Sequence, residues 1–163
     1  MKAIALIIGL LTGISALSQS PLTTVILVRH AEKSTDNPKD PSLSPEGLER
    51  AARLAKLLQT EKIVAVYSTH TKRTESTVKE IANSRGLLIE NYDASKTDYL
   101  DTILQKYAGG TVIICGHSNT VPGAANYLLG NNDLKNFTDS DYDNLLVVTV
   151  LEKGKGKLVW LKF

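Results

Sequence analysis

Short, continuously apolar, β-branched runs alternate along this chain with longer segments whose apolar residues recur at helical spacing, and few architectures accommodate that pattern. Residues 24–28 (TVILV) show no polar alternation, which predicts a strand buried on both faces. Ser44 followed by Pro45 supplies an N-cap and a proline at the first helical position. Leu48, Ala51, Ala52, Ala55 and Leu58 then repeat at helical spacing, predicting a helix to about Gln59. A second strand is expected at 63–67, a second helix at 71–83 stopped by Arg85-Gly86, and a third strand at 87–92. A helix over 95–107, a central strand over 111–115, a helix over 121–129 ended by Gly130, and a hairpin of 145–151 with 158–161 complete the series. The predicted fold class is α/β, a three-layer α/β/α sandwich with a mostly parallel sheet and an antiparallel edge hairpin.

The start of the chain reads differently. Lys2, an apolar run from Ala3 to Leu11 and small or polar residues around Ala16-Leu17-Ser18 predict an export signal over residues 1–18, with residues 19–163 forming one domain. Thr12, Gly13 and Ser15 interrupt the run too early for a bilayer span, so no stable membrane association is expected once the signal is removed, and the mature protein is periplasmic or extracellular. A mature chain of about 145 residues sustains one core without disulfides or metal. The lone Cys115, set in Val112-Ile113-Ile114-Cys115, reads as a buried thiol. Of the formal charge of +2, one unit belongs to Lys2, which leaves +1 and no basic field for nucleic acid. Lys153, Lys155 and Lys157 alternate with glycines and read as a solvated hairpin turn. Nothing in the residues speaks to oligomeric state.

Ligands of sheets like this one bind beyond the carboxyl ends of the strands. Arg29-His30 follows the first predicted strand, Gly116-His117-Ser118 follows the central one, and Arg73 stands just beyond the second. Two arginines and two histidines converging from three strand ends suit an anion of high charge, since a guanidinium fork matches phosphate oxygens and helix N-termini add N–H donors.

These residues resemble the signatures of the histidine phosphatase superfamily, also called phosphoglycerate mutase-like. Arg29-His30-Ala31-Glu32 is similar to its Arg-His-Gly or Arg-His-Ala motif, and Leu43-Ser44-Pro45-Glu46-Gly47 to the Leu-Thr-x-x-Gly that opens its first helix. Thr69, Arg73 and Thr77 resemble its Ser-x-x-x-Arg-x-x-x-Thr pattern, and Gly116-His117-Ser118 its second-histidine motif. The resemblance covers most of the mature chain and implies a small member without a cap domain. It implies that His30 is the nucleophile and forms a phosphohistidine, while Arg29, Arg73 and His117 hold the phosphoryl oxygens. Ser118 and Asn119 join Arg29 and Arg73 as expected phosphate or substrate contacts, with Lys33, Asn37 and Asn119 as candidate rim residues. No cofactor and no metal is expected, because the arginines supply the positive charge, and the expected partner is a small phosphorylated substrate. Where family members place a proton donor after the third strand or directly after the second histidine, this chain has Asp93, with Glu90 and Asp98 nearby, and Ser118. Asp93 and Glu32 are therefore the candidate general acids.

Other chemistries fit less well. Gly116-His117-Ser118-Asn119-Thr120 looks like a serine-hydrolase elbow, but its fifth position is not glycine and no histidine follows Ser118 to complete a triad. His30, His70 and His117 lack the short spacing typical of zinc ligands. A mutase would return the phosphoryl group to another hydroxyl and needs water-excluding segments, for which residues 77–111 leave little room. A binding module that keeps the pocket without turnover is the non-enzymatic alternative.

Overall fold

The computed structural model describes residues 21–163. The export segment expected over 1–18 lies outside the described residues. Ten elements follow in order: β1 (Thr23–Arg29), α1 (Pro45–Leu57), β2 (Ile63–Ser68), α2 (Lys72–Asn83), β3 (Ile89–Asn91), α3 (Asp98–Lys106), β4 (Thr111–Gly116), α4 (Thr120–Leu129), β5 (Asn144–Glu152) and β6 (Lys155–Lys162). The sheet runs β3-β2-β4-β1-β5-β6. Its first three pairings are parallel and the last two antiparallel, the mixed α/β arrangement expected from the alternation.

Burial on both faces explains why the central strands read as unbroken apolar runs. Val25, Leu27, Val112, Ile114, Leu146 and Val148 point to one side, where Leu100 and Ile103 of α3 and Val121, Ala125 and Leu128 of α4 cover them. Ile26, Val28, Val66, Ile113 and Cys115 point to the other, against Leu54 of α1 and Val78, Ile81 and Ala82 of α2. Cys115 is fully buried, and that burial pushes its thiol well above the usual cysteine range.

Boundaries move where side chains intervene. α3 begins at Asp98 instead of 95 because Asp93 accepts hydrogen bonds from the Ser95 amide (3.0 Å) and hydroxyl (2.7 Å), holding those residues in a turn. β3 shrinks to three residues, since only Ile89, Glu90 and Asn91 pair with β2. β6 starts at Lys155, so Lys155 and Lys157 lie on the edge strand and only the Lys153-Gly154 step forms the turn. Lysines on an edge discourage pairing with another sheet.

Ser44 caps α1 by accepting from the Gly47 amide (3.2 Å), as the Ser-Pro pair predicts. Gly47 itself is demanded by proximity, because a Cβ there would sit against the backbone carbonyl and amide of Glu32, whose carbonyl already accepts from the Ser44 amide (2.9 Å). This contact seats the start of α1 on the segment that follows His30. Gly47→Ala is expected to cost about 2 kcal/mol or more through overpacking, read as a lower denaturation midpoint at unchanged m-value.

Candidate active site

Two neighbouring parallel strands bring the two histidines together. β1 and β4 pair with Arg29 opposite Gly116, and the His30 amide donates to the Gly116 carbonyl (2.9 Å). The residues that follow, His30 and His117, therefore emerge side by side, with ring centroids 5.4 Å apart and planes at 66°. β2 flanks β4 on its other side, and the Thr69 amide donates to the Cys115 carbonyl (3.3 Å). That pairing delivers the first turn of α2, and with it Arg73, to the same edge of the sheet. Arg29, His30, Arg73, His117 and Ser118 line one small open pocket of about 250 Å³, together with Lys33, Lys39 and Asp139.

Each side chain has a defined chemical state. A carbonyl only accepts, so the 2.8 Å contact between His30 Nδ1 and the Ala31 carbonyl places the ring proton on Nδ1 and leaves Nε2 with a free lone pair. Burial, with Arg29, Arg73 and His117 as neighbouring cations or potential cations, lowers the His30 pKa to about 3 against the opposing pull of the Ala31 hydrogen bond, so the ring is neutral at ordinary pH. His117 is lowered to about 4 by burial, then by Arg73 and Arg29. Its Nε2 lies 2.9 Å from the Thr69 hydroxyl, which donates in turn to Thr74 Oγ1 (3.0 Å). The Thr77 hydroxyl accepts from the Ala31 amide (3.0 Å) and donates to the Arg73 carbonyl (2.7 Å), tying the turn after His30 to α2. In the Thr69, Arg73, Thr77 pattern, then, only Arg73 faces the pocket, and the two threonines hold the histidine segments in place. Gly116 leaves room for this packing, since a Cβ there would meet Thr120 Oγ1 at 2.6 Å and Tyr92 Oη at 2.8 Å.

Arg29 is only 4% exposed. Its Nη1 donates to the carbonyls of Thr138 (2.7 Å), Asp139 (3.2 Å) and Asp141 (3.4 Å), and its guanidinium carbon lies 4.1 Å from the Tyr142 ring centroid. Among the described residues Nε has no partner, and the nearest carboxylate oxygen, on the fully exposed Asp139, is 4.0 Å from Nη2. A nearly buried cation so weakly compensated creates a standing requirement for an anion.

Comparison with known proteins bears on the fold. Residues 25–95, which include Arg29, His30 and Arg73, match the family model of the histidine phosphatase superfamily (branch 1). The protein histidine phosphatase SixA in complex with tungstate superposes with a TM-score of 0.68 at 21% identity, covering 85% of this chain and 96% of that one. This is a histidine phosphatase fold. A mycobacterial glucosyl-3-phosphoglycerate phosphatase superposes at 0.68 with 12% identity, over 84% and 97% of the two chains. Bacillus stearothermophilus YhfR does so at 0.67 with 15% identity, over 84% and 95%. No curated protein matches the chain by sequence. The family match and these neighbours support a phosphatase at the level of the family.

Within this histidine phosphatase fold both expected general acids lie outside the pocket. Glu32 turns away to Arg50, which donates from Nε (2.9 and 3.0 Å) and Nη2 (2.7 Å). Burial pushes the Glu32 carboxyl up, but the hydrogen bonds from Arg50 outweigh it and hold the group below its usual range, the reverse of what a proton donor needs. Asp93 is consumed by its turn with Ser95, whose hydrogen bonds lower its pKa, and Lys96 sits 3.7 Å away. Glu90 is held by the hydroxyls of Tyr67 (2.8 Å) and Tyr107 (2.7 Å). Asn119 is exposed at the start of α4 and does not line the pocket. Asn37 faces its own loop, where its side-chain oxygen accepts from the Lys39 amide (2.9 Å). His70 is exposed and pairs with Glu75 (2.9 Å), away from the other histidines.

The carboxylate that does line the pocket, Asp139, escapes a reading based on strand ends because it belongs to the segment between α4 and β5. Asn126 pins that segment by donating to the Leu134 carbonyl (2.9 Å) and accepting from the Leu134 amide (3.0 Å), and the Phe137 amide donates to the Ser118 carbonyl (2.9 Å). The Asp-rich run Thr138-Asp139-Ser140-Asp141-Tyr142 is the sequence signal for it. A larger groove of about 690 Å³ on this segment's other side, bordered by Leu134, Phe137, Leu158 and Trp160, contains no histidine or arginine.

The buried His30 and the half-buried His117 set a pH dependence of stability. An unfolded His30 takes up a proton near 6.5, whereas the folded ring resists until about 3, so between these values the unfolded chain binds more protons and stability falls as pH falls. His117 adds the same sign down to about 4. The denaturation midpoint is expected to decline from pH 7 to 4.5, and His30→Ala to flatten part of that decline. An unchanged slope in the variant would contradict a neutral, buried His30.

Proposed function

We propose that the protein is a phosphatase that hydrolyses a phosphomonoester, or a phosphorylated side chain, through a phosphohistidine at His30. One observation carries this reading: a neutral imidazole with its Nε2 lone pair free lies in the same pocket as Arg29, a nearly buried cation without a close counter-ion. The guanidinium groups of Arg29 and Arg73 draw a phosphoryl dianion into the pocket and stabilise the charge that spreads over its oxygens as transfer proceeds. Nε2 of His30 attacks phosphorus in line, forming the N–P bond as the ester P–O bond breaks and the leaving oxygen takes the electron pair and then a proton. Water then attacks phosphorus, the N–P bond breaks, and phosphate leaves with His30 neutral again. His117 serves the phosphoryl oxygens with its Nε2 proton, which moves to them from the Thr69 hydroxyl that otherwise accepts it. Asp139 is the lining carboxylate through which a proton passes to the leaving oxygen and from the attacking water.

The small volume of the pocket, about 250 Å³, suits a small phosphoester or a protruding phosphorylated side chain over a bulky ligand. The composition of residues 1–18 supports export of the protein, to the periplasm or beyond.

Release of phosphate from an aryl phosphate, measured in excess chelator, tests the reading directly. The wild-type chain is expected to turn over and His30→Ala to fall by roughly three orders of magnitude or more. Equal turnover by the two proteins would overturn it. Asp139→Asn is expected to slow alkyl phosphates, whose leaving oxygen needs a proton, by roughly tenfold or more relative to aryl phosphates. An equal effect on both classes would remove Asp139 from the proton path.

A further inference from the structure

Arg50 and Arg29 are held in opposite ways. Arg50 donates three hydrogen bonds, of 2.7, 2.9 and 3.0 Å, to the Glu32 carboxylate, so its charge is matched. Arg29 is more deeply buried and is held by neutral groups, the carbonyls of Thr138, Asp139 and Asp141 and the face of Tyr142, whose centroid lies 4.1 Å from the guanidinium carbon. Carbonyl dipoles and an aromatic quadrupole attract a cation without cancelling its charge. Neighbouring carboxylates are engaged otherwise. Asp139 is fully exposed to solvent at 4.0 Å from Nη2, and Asp40 accepts from the Lys72 amide (3.0 Å) and stands 3.7 Å from Arg73. The Asp141 carboxylate accepts from the Thr138 amide and hydroxyl (2.7 Å each).

Sheet pairing places Tyr142 there. β5 runs antiparallel to β1 with Val28 opposite Leu145, so the residues just before β5 arrive beside the carboxyl end of β1, where Arg29 and His30 stand. Their turn is braced, since the Asp141 amide donates to the Thr138 carbonyl (3.1 Å) and the Tyr142 amide to the Ser140 carbonyl (3.0 Å). The Tyr142 ring also lies 5.9 Å from the His30 ring, at 56°. It therefore faces both pocket residues without lining the pocket itself. Among the described residues the other cation–ring contacts involve Lys106 and Lys153, which are exposed, and Arg50, which Glu32 already pairs.

We propose that Tyr142 is a positioning residue: the π face of its ring holds the Arg29 guanidinium toward the pocket, against the pull of Asp139, and so sets the affinity of the site for an oxyanion. This rests on the phosphatase reading above in taking that oxyanion to be the phosphoryl group. Without the attraction of the ring, the guanidinium turns about its carbonyl contacts onto Asp139, and an incoming anion must displace that pair. A side chain that only filled space would act through its shape, whereas Tyr142 acts through the charge distribution of its face.

Fluorination separates the two, because it drains negative charge from an aromatic face while scarcely changing its size. Inorganic phosphate is titrated calorimetrically into the full chain, into Tyr142→Phe, and into a series carrying mono-, di- and trifluorinated phenylalanine at position 142. Tyr142→Phe is expected to bind phosphate within about twofold of wild type, and affinity to fall with each added fluorine, by roughly fivefold over the series. In an Asp139→Asn background the series is expected to flatten, because the guanidinium has lost its alternative partner. A flat series with Asp139 present overturns the proposal, as does one equally steep in both backgrounds. Hydrolysis of 4-nitrophenyl phosphate distinguishes the two readings. If hydrolysis persists while the series is flat, the positioning role falls alone. A graded series without hydrolysis supports that role and rejects the phosphatase. A wild-type chain that binds no phosphate rejects the positioning role together with the anion site.

Discussion

The parallel pairing of β1 with β4 is the constraint on which the rest of the site depends. Opposing Arg29 to Gly116 and bonding the His30 amide to the Gly116 carbonyl places two residues 87 positions apart in sequence (30 and 117) at adjacent strand ends. Backbone hydrogen bonds in a twisted, doubly covered sheet hold that register firmly, because a slip of one residue would exchange the two faces of each strand. Val25 and Leu27 on one face and Ile26 and Val28 on the other are all buried, so either strand would lose its packing on slipping. Stability of the core and alignment of the histidines are the same physical fact.

Around that pair the molecule spends hydrogen bonds on orientation. Thr77 ties the Ala31 amide to α2, Thr69 holds His117, and the Ala31 carbonyl fixes the His30 tautomer. Arg29 has the opposite character. Its guanidinium clasps three carbonyls of the 138–141 segment and stacks on Tyr142, yet leaves Nε unpaired and its charge weakly compensated. The cation therefore builds one wall of the pocket and makes the pocket need an anion. Burial that keeps both histidines neutral arises from the same packing.

Legibility in the sequence followed the range of the forces involved. Strands β1, β2 and β4 and helices α1 and α2 were readable because burial on two faces, a Ser-Pro cap and helical spacing are local signals. Arg29, His30, Arg73 and His117 were readable because each stands at or next to a strand end. The carboxylate that lines the pocket was not. Glu32 follows His30 closely in sequence but is captured by Arg50, and Asp93 follows β3 but is captured by Ser95. Asp139 arrives from a segment without periodicity, placed by Asn126, Ser118 and Arg29 from three distant parts of the chain.

Sequence alone determined the α/β alternation, the apolar faces of the central strands and the arginines and histidines at the strand ends, since these depend on residue type and on spacing within a few turns. Tertiary structure decided which of those groups meet, which carboxylates are free, and how the histidines are charged. Those outcomes depend on burial and on distances of a few ångströms between segments far apart in sequence, and only the packed sheet sets such distances.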